Sequence, residues 1–186
     1  IGGQLSMAAV LVSEIAGVSI GLLSTVGVSL GLGAATIMSR GTLAQKERWL
    51  PDLMTLEKIA CWAITEPDAG SDAFGGMKTY VKRDGADYIL NGQKTFITNG
   101  PDADVLIVYA KLDEGDPTAD RRNRKVLTFV LEAGMPGLSQ GKAFKKMGMM
   151  SSPTGELFFD NVRITPDRLL GETEEHGGGD GRESAR

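Results

Sequence analysis

The chain has 186 residues, enough for one domain or for parts of two. Hydrophobic residues make up 41% and charged residues 24%, and a net charge of −4 leaves no basic surplus for nucleic acid or an anionic lipid surface. One cysteine (Cys61) excludes an internal disulfide framework, and one histidine beside it leaves no zinc set, so a reducing compartment and no metal are expected.

The opening residues, IGGQLSMAAV, lack the basic lead-in of a signal peptide. Running from Ile1 to the terminal GRESAR, the chain is expected to be a piece of a longer one. Gln4–Ala16 is predicted to form a helix interrupted at Gly17, and Val18–Met38 a long apolar helix ending near Gly41. No charge falls between Ile15 and Met38, a length that could cross a membrane. Glycines and hydroxyl residues dilute that stretch and only Arg40 flanks it, so a closely packed bundle helix is expected and no membrane span. Thr42, with Gln45 three residues on, forms a capping-box pattern that opens LAQKERWL. Pro51 either breaks that helix or starts a short new one, PDLMTLEKIA.

After about Ala60 the texture turns to short strands. KTYVKRDGADYILNG is predicted to be two strands about an Asp84-Gly85 turn, and QKTFITNG prolongs the second to Asn99-Gly100. DVLIVYA reads as a buried strand, DEGDPTADRRNRK as a polar loop and VLTFVLE as the next strand. GLSQGKAF and GELFFDNVRI complete a run spaced as in a small sandwich or barrel. The final ETEEHGGGDGRESAR is Gly-rich and charged, a linker in which His176 is solvated.

Two stretches stand out for chemistry. WAITEPDAGSD (62–72) lacks the spaced ligand series of a calcium loop. It suits a plain turn, with Pro67 fixing one dihedral and Gly70 permitting an unusual one. It also suits an anion cradle, in which Ala69, Gly70 and Ser71 present backbone N–H groups and Ser71 adds a hydroxyl. In NGQKTFITNG (91–100), strand alternation puts Phe96 and Thr98 on one face, an aromatic surface beside a hydroxyl, as a flat ring ligand needs. An ordinary cross-strand pair would look the same. RRNRK (121–125) follows four acidic residues and reads as a solvated loop, while the methionines of KKMGMM (145–150) read as core filler. No GxGxxG or GxxxxGK[ST] motif is present.

Together, ACWAITEPDAGSD, YILNGQKTFITNG, FVLEAGMPGLSQGKAFKKMG and GELFFDNVRITPDRLLGE resemble, in order and spacing, the acyl-CoA dehydrogenases. The helical GTLAQKERWLPDLMTLEKIA that leads into the first motif resembles the same family. The resemblance implies an α+β chain: part of an N-terminal helical domain (1–59), a small antiparallel β-barrel that binds flavin and acyl-CoA (60–172), and a linker (173–186) toward a missing C-terminal four-helix domain. Those missing helices would cover the apolar face of Val18–Met38 and complete the flavin pocket.

Carried over by position, the resemblance implies FAD as cofactor, held by Trp62, Ile64, Thr65, Gly70, Ser71, Phe96, Ile97 and Thr98. Ile64 and Thr65 would meet the isoalloxazine, Gly70 and Ser71 the pyrophosphate, and Phe96 and Thr98 the ring near N5. Ser71 would also touch the pantetheine arm of the acyl-CoA substrate. Many relatives carry Trp at the position of Phe96, so an aromatic face remains here without the indole donor. Relatives often carry Arg at the position of Met150, so an ion pair made there in the family does not carry over. The family reaction removes two hydrogens across Cα–Cβ of an acyl-CoA. Its carboxylate base usually sits in the C-terminal domain, so no catalytic residue is assigned in this chain, and Glu66 is read as structural. An electron-transfer flavoprotein, a homodimer or homotetramer, and the bacterial cytoplasm or mitochondrial matrix follow from the same resemblance. An acyl-CoA oxidase, a flavin monooxygenase or a non-catalytic acyl-CoA or flavin binder would share the scaffold.

Overall fold

The computed structural model describes residues 5–116, 118 and 120–175, with Leu5 described by its backbone only. His176 and the rest of the expected linker lie outside the described residues. Helices α1 (Leu5–Val18) and α2 (Ile20–Gly27) lead through a π-helical stretch, Val28–Ala34, into α3 (Ala35–Arg40). The break expected at Gly17 falls instead at Ser19, whose extended backbone and side chain cap α2 by accepting from Leu22 N at 3.2 Å.

The π-helical stretch lies where the helix meets the sheet. Ser29 is buried there and its Oγ accepts from Ala60 N at 3.0 Å, while a Cβ placed on Gly33 would collide with the Ala60 Cβ. A wider turn there carries a hydroxyl and a bare backbone to the start of the first strand. On its other side the same stretch is uncovered by the described residues: Val18, Ile20, Leu22, Leu32 and Met38 are exposed. The run Ile20–Arg40 is long and apolar enough to cross a membrane by length and composition.

Helix α4 (Leu43–Met54) opens on the predicted capping box, with Thr42 and Gln45 bonded reciprocally. Pro51 neither breaks it nor begins another; it sits inside, near the end. So late in a helix its missing N–H costs a single intrahelical bond. Gln45 also spends its amide on the far end of the chain, donating to Asp167 O and Leu169 O and accepting from Gly171 N. One buried glutamine thus ties the helices to the last turn after the sheet.

Seven strands follow: β1 (Ala60–Ala63), β2 (Tyr80–Asp84), β3 (Asp87–Thr98), β4 (Val105–Leu112), β5 (Val126–Glu132), β6 (Leu138–Gln140) and β7 (Thr154–Ile164). A four-residue helix, α5 (Ala73–Gly76), lies between β1 and β2. The predicted hairpin forms, with Asp84 paired to Asp87 and Gly85 at φ +66°. The sheet is mixed, where an antiparallel barrel was expected. β4 pairs antiparallel with β5 along one edge, and parallel with β1 and then the end of β2 along the other. β4 therefore stands at the centre, and every one of its residues is buried.

Alternation along β4 divides the core in two. Leu106, Val108, Ala110 and Leu112 join Leu90, Phe129, Leu157 and Ile164 inside the curl of the sheet. Val105, Ile107 and Tyr109 face the other way and pack with Ile37, Trp49 and Leu53 of the helices. Each fully buried Leu or Ile of these layers contributes about 1.5–3 kcal/mol. The methionines of KKMGMM take no part: Met147, Met149 and Met150 are exposed, so the core-filler expectation fails. They lie between the short β6 and β7, in a segment with no strand of its own to turn them inward.

Candidate functional site

Strand β1 delivers WAITEPDAGSD to the rim of the sheet. Trp62 faces the helix side, where its Nε1 donates to the Tyr109 hydroxyl at 3.2 Å and the two rings meet edge to face at 5.2 Å. Phe74 also meets Tyr109 edge to face, at 6.2 Å, so the three rings form one cluster. Burial holds the Tyr109 phenol above its ordinary pKa, so it stays a neutral acceptor for Trp62. Ile64 is buried in the same layer. Cys61 points into the curl of the sheet, where burial pushes its thiol up and keeps it unreactive.

The turn that follows is closed by paired backbone bonds between Glu66 and Ala69, 3.0 and 3.1 Å long. Pro67 sits within it. Beyond the turn Gly70 and Ser71 are exposed, and a Cβ on Gly70 would meet nothing within 4 Å. The turn read from sequence is therefore present; of the three N–H groups expected to face an anion, that of Ala69 is spent on Glu66 O, and Gly70 and Ser71 lie exposed beyond it.

Lys94 organises this corner, and sequence reasoning missed it. Its side chain is fully buried; Nζ donates to Ile64 O at 3.1 Å and to Glu66 Oε1 at 2.8 Å. Glu66 also accepts from Lys78 N at 2.6 Å and Thr79 N at 3.0 Å. Burial alone would raise the Glu66 pKa, but the Lys94 charge and the hydrogen bonds from Lys94, Thr79 and Lys78 together hold it below the usual carboxylate value. Burial pulls the Lys94 ammonium down to about 8, partly against the attraction of Glu66. Both groups are charged at neutral pH, and with those partners Glu66 is bound into the scaffold. The signal for Lys94 was in the sequence: counting by twos from Tyr88 and Leu90 reaches position 94.

Lys94 is also where the two motifs join, because Thr95 N donates to Thr65 O at 2.9 Å. Beyond this point the alternation assumed for Phe96–Thr98 breaks. The β3–β7 register slips between Lys94 and Ile97, and Phe96 takes φ +54°. This bulge turns Phe96 outward, 68% exposed and edge to face with Phe144 at 5.6 Å, while Ile97 is buried inside the curl. A non-glycine residue held in that backbone region is strained, and such strain collects at ligand sites. Ile97 can therefore meet a ligand only through its backbone.

Thr65 and Thr98 are half-buried and Ser71 is exposed. None of their hydroxyls has a hydrogen-bond partner among the described residues. Asn99 closes the strand at φ +65°, its amide donating to Thr25 O and Ala60 O, both at 3.0 Å. It thereby fixes the end of the second motif to α2 and to the strand that carries the first. In RRNRK, Arg122 pairs with Asp72 at 2.7 Å and Arg124 with Asp113 at 3.0 Å, so that loop is more anchored than a freely solvated one. Among the described residues no cluster of His, Cys, Asp and Glu could hold a metal ion.

Residues 61–162 match the acyl-CoA dehydrogenase middle domain, and residues 1–57 the N-terminal domain of the same enzymes. The chain belongs to the acyl-CoA dehydrogenase family. Among its relatives, the short-chain-specific acyl-CoA dehydrogenase of Megasphaera elsdenii is 39% identical over 92% of this chain and 43% of its own length. The mitochondrial isovaleryl-CoA dehydrogenase of Pongo abelii is 46% identical over 73% of this chain and 31% of its own. The glutaryl-CoA dehydrogenase of Mycobacterium smegmatis, solved in complex with FADH2, is 37% identical with a TM-score of 0.73, over 82% of this chain and 37% of that one. The chain thus spans less than half the length of these family members.

Proposed function

We propose that this chain supplies the flavin- and acyl-CoA-contacting portion of an FAD-dependent acyl-CoA dehydrogenase. The observation that carries the reading is the set of hydroxyls on Thr65, Ser71 and Thr98 that have no partner among the described residues, set in two joined motifs with an outward-turned Phe96. A flat, polar-edged ring system needs such a stacking surface with donors around it. FAD fits these residues, and when bound it supplies the two-electron acceptor that no side chain can provide.

In this reading Phe96 packs on the ring system, Thr65 and Thr98 hydrogen-bond its polar edge, and the open Gly70-Ser71 backbone receives the phosphates. Trp62 and Ile64 support the ring from below, and Ile97 contributes only backbone. Ser71 also meets the pantetheine arm of the substrate. No catalytic base is assigned among the described residues: Glu66, the buried carboxylate at the corner, is occupied by Lys94, Lys78 and Thr79. The α-proton would be taken by a residue outside these 186 positions. An electron-transfer flavoprotein receives the electrons, the whole protein forms a homodimer or homotetramer, and it works in a bacterial cytoplasm or a mitochondrial matrix.

The test is to express the full-length protein and follow its visible absorbance anaerobically on adding an acyl-CoA. A yellow protein that bleaches without consuming oxygen supports the reading. A folded, colourless protein refutes it, and rapid oxygen uptake during turnover would make the enzyme an oxidase.

A further inference from the structure

On the outer face of β2 and β4, next to the motif corner with which it shares Lys78, lies a cavity of about 210 Å³. It is lined by Lys78, Lys82, Lys111, Arg121 and Arg124, with Tyr80, Met77 and a single acid, Asp113. Five cations against one carboxylate is a local reversal in a chain whose net charge is −4.

The decisive residue is Lys111. It follows Val105, Ile107 and Tyr109 on the outward face of β4, and its side chain is buried, with the residue only 1% exposed. Its Nζ donates to Gly75 O at 2.9 Å and Arg121 O at 2.7 Å, both carbonyls. An ammonium has a third donor, and among the described residues no carboxylate lies within ion-pair distance of it. Asp120, Glu66 and Asp72 attract it only from longer range, and desolvation with the nearby Arg122 outweighs them, holding its pKa below the ordinary lysine value. A buried charge with no carboxylate in contact is costly, and an anion in the adjoining cavity relieves that cost. Around it, Asp113 is shared between Arg124 at 3.0 Å and Lys82 at 3.7 Å, and Lys78 leans on the exposed Asp68. Arg121 is exposed and pairs with no carboxylate among the described residues. Two of the five cations therefore lack a partner of opposite charge.

We propose that this cavity binds a phosphoryl group, with Lys111 beneath it and Arg121 above. Its volume suits a phosphate and its waters and is too small for a whole nucleotide. Arg121 supplies a fork that matches two phosphate oxygens, and Lys111 supplies a point charge from below. The phosphate is either a free anion or the terminal phosphate of a larger ligand, of which the 3′-phosphate of coenzyme A is the one that the proposed function brings to this protein. The site itself is independent of the flavin reading, since a protein without flavin would still present it.

Inorganic phosphate titrated calorimetrically into the full-length protein tests the site, followed by coenzyme A and 3′-dephospho-coenzyme A. Phosphate is expected to bind, and Arg121→Ala and Lys111→Gln each to weaken it about tenfold, the worth of one charge-assisted bond. Arg163→Ala, on β7 where it pairs with Asp84 and Asp87 of the β2–β3 hairpin, should change nothing. If coenzyme A binds more tightly than its dephospho form and Arg121→Ala removes the difference, the phosphate belongs to coenzyme A. If the two bind alike while inorganic phosphate still depends on Arg121, the ligand is a free phosphate. Absence of phosphate binding, or binding indifferent to Arg121→Ala, overturns the proposal. Should Lys111→Gln fail to fold, the exposed Arg121 still decides.

Discussion

Lys94 Nζ lies 2.8 Å from Glu66 Oε1, the two side chains 0% and 4% exposed, and each comes from a different motif. The bond joins the turn after β1 to the middle of β3, where Thr95 N also reaches Thr65 O. Removing one partner leaves the other charge buried and alone, which costs more than the intact pair contributes. Lys94→Met should therefore lower stability in urea by about 3–5 kcal/mol. Adding Glu66→Gln, which removes the stranded charge but keeps only one of the two oxygens that accept from Lys78 N and Thr79 N, should recover part of that loss. Equal unfolding midpoints for wild type and Lys94→Met would contradict the account.

The same pair sets an acid limit. The Glu66 pKa is held below its ordinary 4.5, so above that value its contribution is fully present, and it is lost as pH falls through the folded value. In that window the unfolded chain binds more protons, hence stability must fall toward low pH. Glu132, Asp167 and Glu174 are shifted the same way, so Glu66→Gln should flatten the slope of urea midpoint against pH without abolishing it. A slope unchanged by Glu66→Gln would show that the pair does not carry this charge.

Gly33→Ala tests how closely the helix approaches the first strand. The added methyl would overlap the Ala60 Cβ, and both residues are held by packed backbone that cannot yield cheaply. A loss of about 1–3 kcal/mol is expected from overpacking, read by thermal unfolding. Gly31→Ala, where a Cβ meets nothing within 4 Å, is the control and should be neutral or slightly stabilising.

Asn99→Ala removes both donors to Thr25 O and Ala60 O and forces a residue with a Cβ but no local hydrogen bond to hold φ +65°. Two lost bonds and the backbone strain together predict about 2–4 kcal/mol. Hydrogen exchange should quicken at Ala60, at the start of the strand that carries the first motif. Protection unchanged at Ala60 would mean that Asn99 does not hold this strand.

Much of this architecture was legible in the residues. The Thr42/Gln45 cap, the Asp84-Gly85 hairpin and the continuous apolar run of β4 are local signals, and each forms as read. Long-range pairing was not legible. Nothing near β4 tells that its second neighbour is the parallel β1, because parallel register depends on what the intervening chain allows. At the site, Thr65, Gly70, Ser71 and Phe96 could be singled out by type and order, and the bulge that turns Phe96 outward could not, since a register slip leaves no mark in an alternating pattern. Lys94 was passed over because a lysine in a strand ordinarily faces water. Only the partner from a distant turn, Glu66, makes its burial tolerable.

The central claim is that the joined corner of Thr65, Ser71, Phe96 and Thr98 holds FAD, and equilibrium binding of FAD to the full-length apoprotein measures it most directly. Loss of one hydrogen bond to the ring edge is worth about 1 kcal/mol or more, so Thr65→Val and Thr98→Val should each weaken binding at least about fivefold with unchanged circular dichroism. Wild-type affinity in both variants, with the fold intact, would contradict the claim.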